Sequence, residues 1–431
     1  MKKLLAMLLA GVMALSMVAC GGSEPAAPEG GEAATTEITL WTYPVGKFGD
    51  DATVKGFIEN FNAVNPDIKV NVEYLDYTNG DNQVTAALEA GTAPDLILEG
   101  PERLVSNWGR KGKMVDLADV WADTKADIEA QSPAVVAACQ ENGAYYEYPF
   151  CMTTHCMAIN YEVFEQAGAL QYLDLETRTW TTENFWKAME AVKASGLVQE
   201  TGVVYCGGQG GDQGTRALVN NLYSGKFTNE DYTVYTADSA ENVKALAELK
   251  EKADAGLIGY DAGIVAADEL QLFANGTIAM SFCWNAANEA NYASQVQFTP
   301  YAMAFPSDDG QPELCGGIWG FGIFNNGDEA KVEAAKTFIK FICDDATQGV
   351  ESVKATGFFP VKASYGNPYV GTADEARMGN YTSMMPYLGD YYNVAPNWAE
   401  QRTAWWGMLQ AVFAGTPVEE AVATYSAAVN K

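Results

Sequence analysis

Between residues 38 and 98 the apolar residues change their period four times, and that alternation restricts the chain to one kind of architecture. Ile38-Thr39-Leu40-Trp41 reads as a short strand. Val54, Phe57, Ile58, Phe61 and Val64 then recur at helical spacing behind a cap at Asp50 or Asp51. Asn65-Pro66 ends that helix, because the residue before a proline is driven out of the helical region. Ile68, Val70, Val72 and Tyr74 alternate with Lys69, Asn71 and Glu73, the period of a strand. A second helix passes through Val84, Ala87 and Leu88 and closes at Gly91, and Pro94-Asp95-Leu96-Ile97-Leu98 reads as a buried strand. Strand, helix, strand, helix, strand predicts an α/β layer with a mainly parallel sheet. Loops at the strand C-termini of such a sheet line the ligand crevice, here residues 42–49 and 99–103.

A second α/β segment is expected from about Phe150. Trp180-Thr181-Thr182-Glu183 is a capped helix start, 240–253 a charged amphipathic helix, and 328–342 a helix with Val332, Ala335, Phe338, Ile339 and Ile342 on one face. No period of tens of residues recurs, which argues against a solenoid or propeller. The 431 residues are long enough for two or three domains or one large two-lobed one, and 48% hydrophobic residues suffice for sizeable cores. The formal net charge of −30 repels phosphate backbones, so a nucleic-acid partner is not expected.

Residues 1–19 read as a signal peptide: Lys2 and Lys3 precede an uncharged run over 4–18 that is too short for an ordinary membrane span. Leu15-Ser16-Met17-Val18-Ala19-Cys20-Gly21-Gly22 resembles the lipobox of bacterial lipoproteins, with Met17 where Leu is usual, and that resemblance implies lipidation of Cys20. Residues 20–36 then form a Gly-, Ala-, Pro- and Glu-rich tether. No later segment is apolar enough to span a bilayer, so the expected location is the outer face of the bacterial cytoplasmic membrane, with contact through the lipid only. Seven other cysteines remain, an odd number that leaves at least one unpaired. Cys151 and Cys156 flank the sole histidine, His155, but in an apolar strand-like run such cysteines read as small hydrophobes rather than metal ligands.

The order of further motifs resembles the sugar-binding, maltodextrin-binding-protein-like solute-binding proteins of ABC importers. The matching stretches are FNAVNPDIKVNV from Phe61, AGTAPDLIL from Ala90, YPFCMTTHCMAINYEVFEQAG from Tyr148, TWTTENFWKAM from Thr179 and FANGTIAMSFCW from Phe273. They continue with GGIWGFGIF from Gly316, EAAKTFIKFI from Glu333, TGFFPV from Thr356 and RTAWWGMLQAVFAGTPVEEAV from Arg402. The resemblance implies a two-lobed periplasmic-binding-protein-like α/β fold of type II, with a hinge and an interlobe ligand cleft. It places residues 37–148 and 321–377 in an N-terminal lobe and 149–320 and 378–431 in a C-terminal lobe, with crossings near Tyr148-Pro149, Gly320 and Met378. It also implies delivery of the captured solute to membrane permease subunits, a monomer, and no cofactor or metal.

Sugar recognition needs flat apolar faces for pyranose C–H surfaces and polar groups for hydroxyls. Trp41 and Tyr43 end the first strand and are candidate contacts, Trp41 with an equal claim to the core. Glu102 and Arg103 resemble the acid–Arg pair that contacts sugar hydroxyls in maltodextrin-binding relatives, where Glu99 replaces a possible aromatic. Trp284, Trp319 and Trp406 are the expected stacking residues, and Trp405, its neighbour on the helix, is assigned to the core. Gln209 and Asp212 lie in the Gly-rich GGQGGDQG, which lacks the Lys-Ser/Thr end of a phosphate-binding loop. The ligand is thus expected to be a carbohydrate, an oligosaccharide suiting the tryptophans. The alternative is a phosphorylated polyol such as glycerol 3-phosphate, whose anion Arg103 and Arg402 could hold. A secreted carbohydrate-active enzyme using paired carboxylates is the third reading, and the lone His155 gives little basis for a Ser-His or Cys-His mechanism. A surface adhesin would need no strand-end aromatic set.

Overall fold

The computed structural model describes residues 35–77, 79–208, 210–390 and 394–431. The signal peptide, Cys20, most of the tether and Gln209 lie outside the described residues. The first α/β layer follows the sequence periods. β1 (Thr36–Thr42) leads to α1 (Asp51–Val64), where the Asp50 side chain accepts from the Thr53 backbone N–H at 3.0 Å. β2 (Ile68–Tyr74), α2 (Gly80–Ala90) and β3 (Leu96–Glu99) follow, and Gly91 closes α2 in the left-handed conformation at φ 70°. β1 pairs in parallel with β2 on one side and β3 on the other.

The rest of the large sheet comes from distant sequence. β4 (Tyr148–Thr154) is separated by His155 alone from β5 (Cys156–Asn160). Beyond them lie α3 (Asp212–Leu222), α4 (Ala266–Ala274), β6 (Met280–Trp284), β7 (Pro300–Met303) and β8 (Leu314–Ile323). The chain ends through α5 (Glu329–Asp344), β9 (Phe359–Pro360), β10 (Leu388–Asp390), α6 (Trp398–Phe413) and a last helix, Val418–Val429. The large sheet runs β9-β4-β8-β3-β1-β2, with β10 beside β8. Along that path its second half is antiparallel, since β8 runs against both β3 and β4, whereas β10 lies parallel to β8. A smaller sheet, β6-β5-β7, is antiparallel throughout.

The chain therefore changes sheet at His155 and again between Met303 and Leu314. The physical reason is that β4 and β8 pair with each other from Gly316↔Thr154 to Phe321↔Tyr148, which keeps both in the large sheet until the ladder ends. The large sheet's core is aromatic: Phe61 of α1 meets Phe338 of α5 edge-on at 5.1 Å, and Phe48 meets Phe150 at 5.4 Å. Among the described residues no helix is long and apolar enough to cross a membrane, and no group of three or more His, Cys, Asp or Glu is gathered as a metal site. The seven described cysteines are all free and buried.

Candidate ligand-binding site

A cavity of about 710 Å³ lies between the C-terminal ends of the large sheet's parallel strands and the smaller sheet. From the large-sheet side, Pro44, Val45 and Gly46 follow β1, Tyr77 follows β2, Glu99 ends β3, and Glu102 and Arg103 follow it. From the other side come the Gly-rich loop before α3, Asp212 at its first turn, and Cys283 with Asn285 at the end of β6. His155, Trp319, Phe358, Trp398 and Arg402 also line the wall. A volume of this size is typical of small-molecule sites.

Glu102, Arg103, Asp212, Trp319 and Arg402 are thus brought together. Trp319 projects from β8 and stacks on Phe358 at 4.8 Å, 15° between planes. Its ring lies over Gly317, two residues earlier on the same strand face, where a Cβ would collide with it. That close approach is one requirement behind the glycines of GGIWGFG.

Arg103 is 2% exposed and surrounded by acid. Its Nε donates to Asp81 Oδ1 at 2.5 Å and its Nη2 to Asp81 Oδ2 at 3.1 Å. Nη1 pairs with Glu99, and Glu102 stands 3.6 Å away. Burial raises the Glu99 carboxyl well above the usual carboxylate range, against the pull of Arg103 and with the help of Glu102 and Asp81. Burial works the same way on Asp81, but there the Arg103 charge and hydrogen bond prevail and hold the carboxyl low. Across the cavity Arg402 Nε donates to Asp212 Oδ1 at 3.0 Å, and Gln401 Nε2 reaches Asp212 Oδ2 at 3.3 Å. The Arg103 and Arg402 guanidiniums lie over the Trp398 ring at 4.9 and 4.3 Å, so one indole links groups on both sides. His155 is pulled down to about 4 by burial and then by the Arg216 charge, so it is neutral at pH 7.

The other expected contacts lie elsewhere. Trp284 is fully buried, and its Nε1–H donates to Tyr381 Oη at 2.9 Å. Successive strand residues face opposite ways, and it is Cys283 that faces the cavity, so Trp284 turns into the core. Trp406 is buried against Tyr205, its ring centroid 5.9 Å away. It shares a helix with Trp398 and Arg402 but lies about 12 Å further along the axis than Trp398, beyond the cavity. Tyr43 is also fully buried, donating to Asp81 Oδ1 at 2.7 Å, and stands behind the wall rather than in it. It carries Tyr77, stacked on it at 5.2 Å, which is the aromatic that lines the cavity. Trp41 is half-buried beside the Tyr43 cluster and does not line the cavity. Trp405 is in the core, its Nε1–H donating to Thr215 Oγ1 at 3.1 Å.

Sequence reasoning missed Tyr77, Phe358, Trp398 and the asparagines Asn285, Asn288 and Asn291 as wall residues. Two signals were present. Trp398 lies four residues before Arg402, on one helical face, and the asparagines recur every third residue directly after a strand.

Residues 56–379 match the family model described as bacterial extracellular solute-binding protein. No curated protein matches the chain. Among solved structures, an ABC substrate-binding protein from Listeria monocytogenes in complex with cycloalternan aligns with a TM-score of 0.71 at 21% identity, over 91% of this chain and 98% of that one. A solute-binding protein from Thermotoga lettingae bound with α-D-tagatose gives 0.74 at 18%, over 92% and 99%. UgpB from Mycobacterium tuberculosis, in complex with glycerophosphocholine, gives 0.69 at 18%, over 92% and 98%. At such identities the likeness is one of fold, two α/β lobes with a cleft between them. With three quarters of its length matched by the family model, the chain belongs to the bacterial extracellular solute-binding proteins.

Proposed function

We propose that this protein captures a carbohydrate, an oligosaccharide of a few units, in the cleft and delivers it to the permease of an ABC importer without chemically altering it. One observation carries the reading: aromatic faces at Tyr77 and Trp319 share a cavity with carboxylates, guanidiniums and four asparagine amides. That combination matches the alternation of C–H faces and hydroxyls on a sugar. Proteins of the same fold bind cycloalternan and α-D-tagatose, which supports it. The phosphorylated-polyol reading draws on UgpB, but both cavity arginines are already bonded to carboxylates. A thermal-shift screen against neutral sugars and phosphorylated polyols tests the choice, since a bound ligand raises the midpoint by mass action. A midpoint raised only by phosphorylated polyols would refute the carbohydrate reading.

The division into two lobes, with hinges where the chain changes sheet at His155 and between Met303 and Leu314, belongs to the same proposal. So do a monomeric state and a lipid anchor on Cys20. In the Cys20→Ser variant the acyl-accepting thiol is lost, and labelling cells with a fatty acid should mark the wild type alone. Equal label in both would place the anchor elsewhere.

A further inference from the structure

Several polar groups of the cavity wall already have protein partners: Arg103 with Asp81 and Glu99, Arg402 with Asp212, the Asn288 amide with the Cys283 carbonyl, and Asn285 Oδ1 with the Asn288 N–H. His155 differs. It lines the cavity half-buried, and neither ring nitrogen has a hydrogen-bond partner among the described residues. A polar group withdrawn from water costs free energy until a partner meets it. Burial and the Arg216 charge keep the ring neutral at pH 7, against the weaker pull of Asp212. In a neutral imidazole one nitrogen donates and the other accepts. A sugar hydroxyl does both, so it can pair with Nε2 in either tautomer.

The backbone fixes where that ring stands. His155 is the single residue between β4 and β5, and its N–H donates to the Cys315 carbonyl of β8 at 2.9 Å. Gly317, two residues further along β8, leaves the room: a Cβ there would collide with Trp319 Cη2 and lie 3.0 Å from His155 Nε2. Nε2 and the indole edge therefore converge on one patch of the wall, their ring centroids 6.1 Å apart and their planes at 68°. A pyranose lying against Trp319 carries its hydroxyls around its rim, within reach of a nitrogen so placed. We infer that His155 is a ligand-binding residue, its Nε2 hydrogen-bonded to a hydroxyl of the sugar unit that lies against Trp319. The inference rests on the carbohydrate reading.

A thermal-shift screen of the wild type with maltotriose, cellotriose, xylotriose and mannotriose selects the trisaccharide that raises the midpoint most, and calorimetry then compares variants with it. His155→Phe should bind it about tenfold more weakly, for one hydrogen bond lost and a hydroxyl left unpaired. His155→Gln, whose amide reaches the place of Nε2, should recover most of that loss. His155→Asn, whose amide reaches only the place of Nδ1, should not. Undiminished affinity in a folded His155→Phe overturns the inference, and so does recovery by Asn but not by Gln. Should the variants fail to fold, the wild type decides. His155 is the sole histidine, so nitrogen NMR of the untagged, histidine-labelled protein reads its ring without assignment. The Nε2 signal should move on saturation with the same trisaccharide, and further than that of Nδ1. Unmoved ring signals, or a protonated ring at pH 7, overturn the inference while leaving the carbohydrate reading intact. If none of the trisaccharides raises the wild-type midpoint, the oligosaccharide reading fails and the inference falls with it.

Discussion

Trp319 and Trp284 are both tryptophans near a strand end, and their surroundings give them opposite duties. Trp319 lines the cavity with Phe358 stacked behind it, whereas Trp284 is enclosed by Phe273 and Tyr381. Trp319→Ala should weaken ligand binding by about 1–3 kcal/mol, the scale of a well-packed aromatic anchor, as read by titration calorimetry. Undiminished affinity in a folded variant would remove Trp319 from the site. Trp284→Ala should instead lower the unfolding free energy by about 3–5 kcal/mol in urea titration, because it empties a core position. Glu269 supplies a pH dependence. It is fully buried, accepts from Ser281 Oγ at 2.7 Å and Phe282 N at 2.5 Å, and burial pushes its pKa up to about 8 from 4.5. Between those values the folded chain holds a proton that the unfolded chain has released. The corresponding stability is therefore full below the lower value and is lost as pH rises towards the upper one. Glu269→Gln should flatten that loss by at most about 1.4 kcal/mol per pH unit. Parallel stability curves for wild type and variant would show that Glu269 does not titrate in this range.

At the scale of elements, α3 shows how closely the cavity's far wall is built. Its first residue, Asp212, holds Arg402, and its face packs on β6. The contact depends on Gly214, where a Cβ would collide with the Phe282 carbonyl and the Tyr205 hydroxyl. Gly→Ala inside a helix ordinarily stabilises by about 1 kcal/mol through propensity. Here Gly214→Ala should destabilise by about 1–3 kcal/mol, the cost of overpacking, and a denaturant midpoint above that of the wild type would contradict the packing. The early elements were readable because each carries a period and a stop signal of its own: Asp50 caps α1, Asn65-Pro66 ends it, and Gly91 ends α2. The antiparallel half of the large sheet was not readable. β4 and β8 pair across some 160 residues, and nothing local to either strand names its partner.

For the whole molecule, capture requires that a ligand touching both walls bind the closed form more tightly than the open one, shifting the population by that difference. Trp398 already joins the two walls, with Arg103 and Arg402 both over its ring. Saturating sugar should reduce the radius of gyration in small-angle scattering, with His155 and the segment between Met303 and Leu314 acting as hinges. Binding seen by calorimetry without compaction would mean that the two walls do not close on one ligand.

The sequence by itself determined the α/β class, through its periods and breakers, and the family, through the order of motifs no one of which is decisive alone. It also located the crevice loops, because residues 42–49 and 99–103 follow parallel strands whose C-terminal ends open onto the cavity. Which aromatics form the wall was decided only by the tertiary structure. Trp284 and Cys283 are adjacent, and facing the cavity is a matter of one step in strand phase. Trp406 and Trp398 share one helix, and reaching the cavity is a matter of distance along its axis. Tyr43 was in the right loop but was covered by Tyr77, from the end of a different strand. Phase, axial position and cover are set by contacts between segments far apart in the chain, and no local pattern contains them.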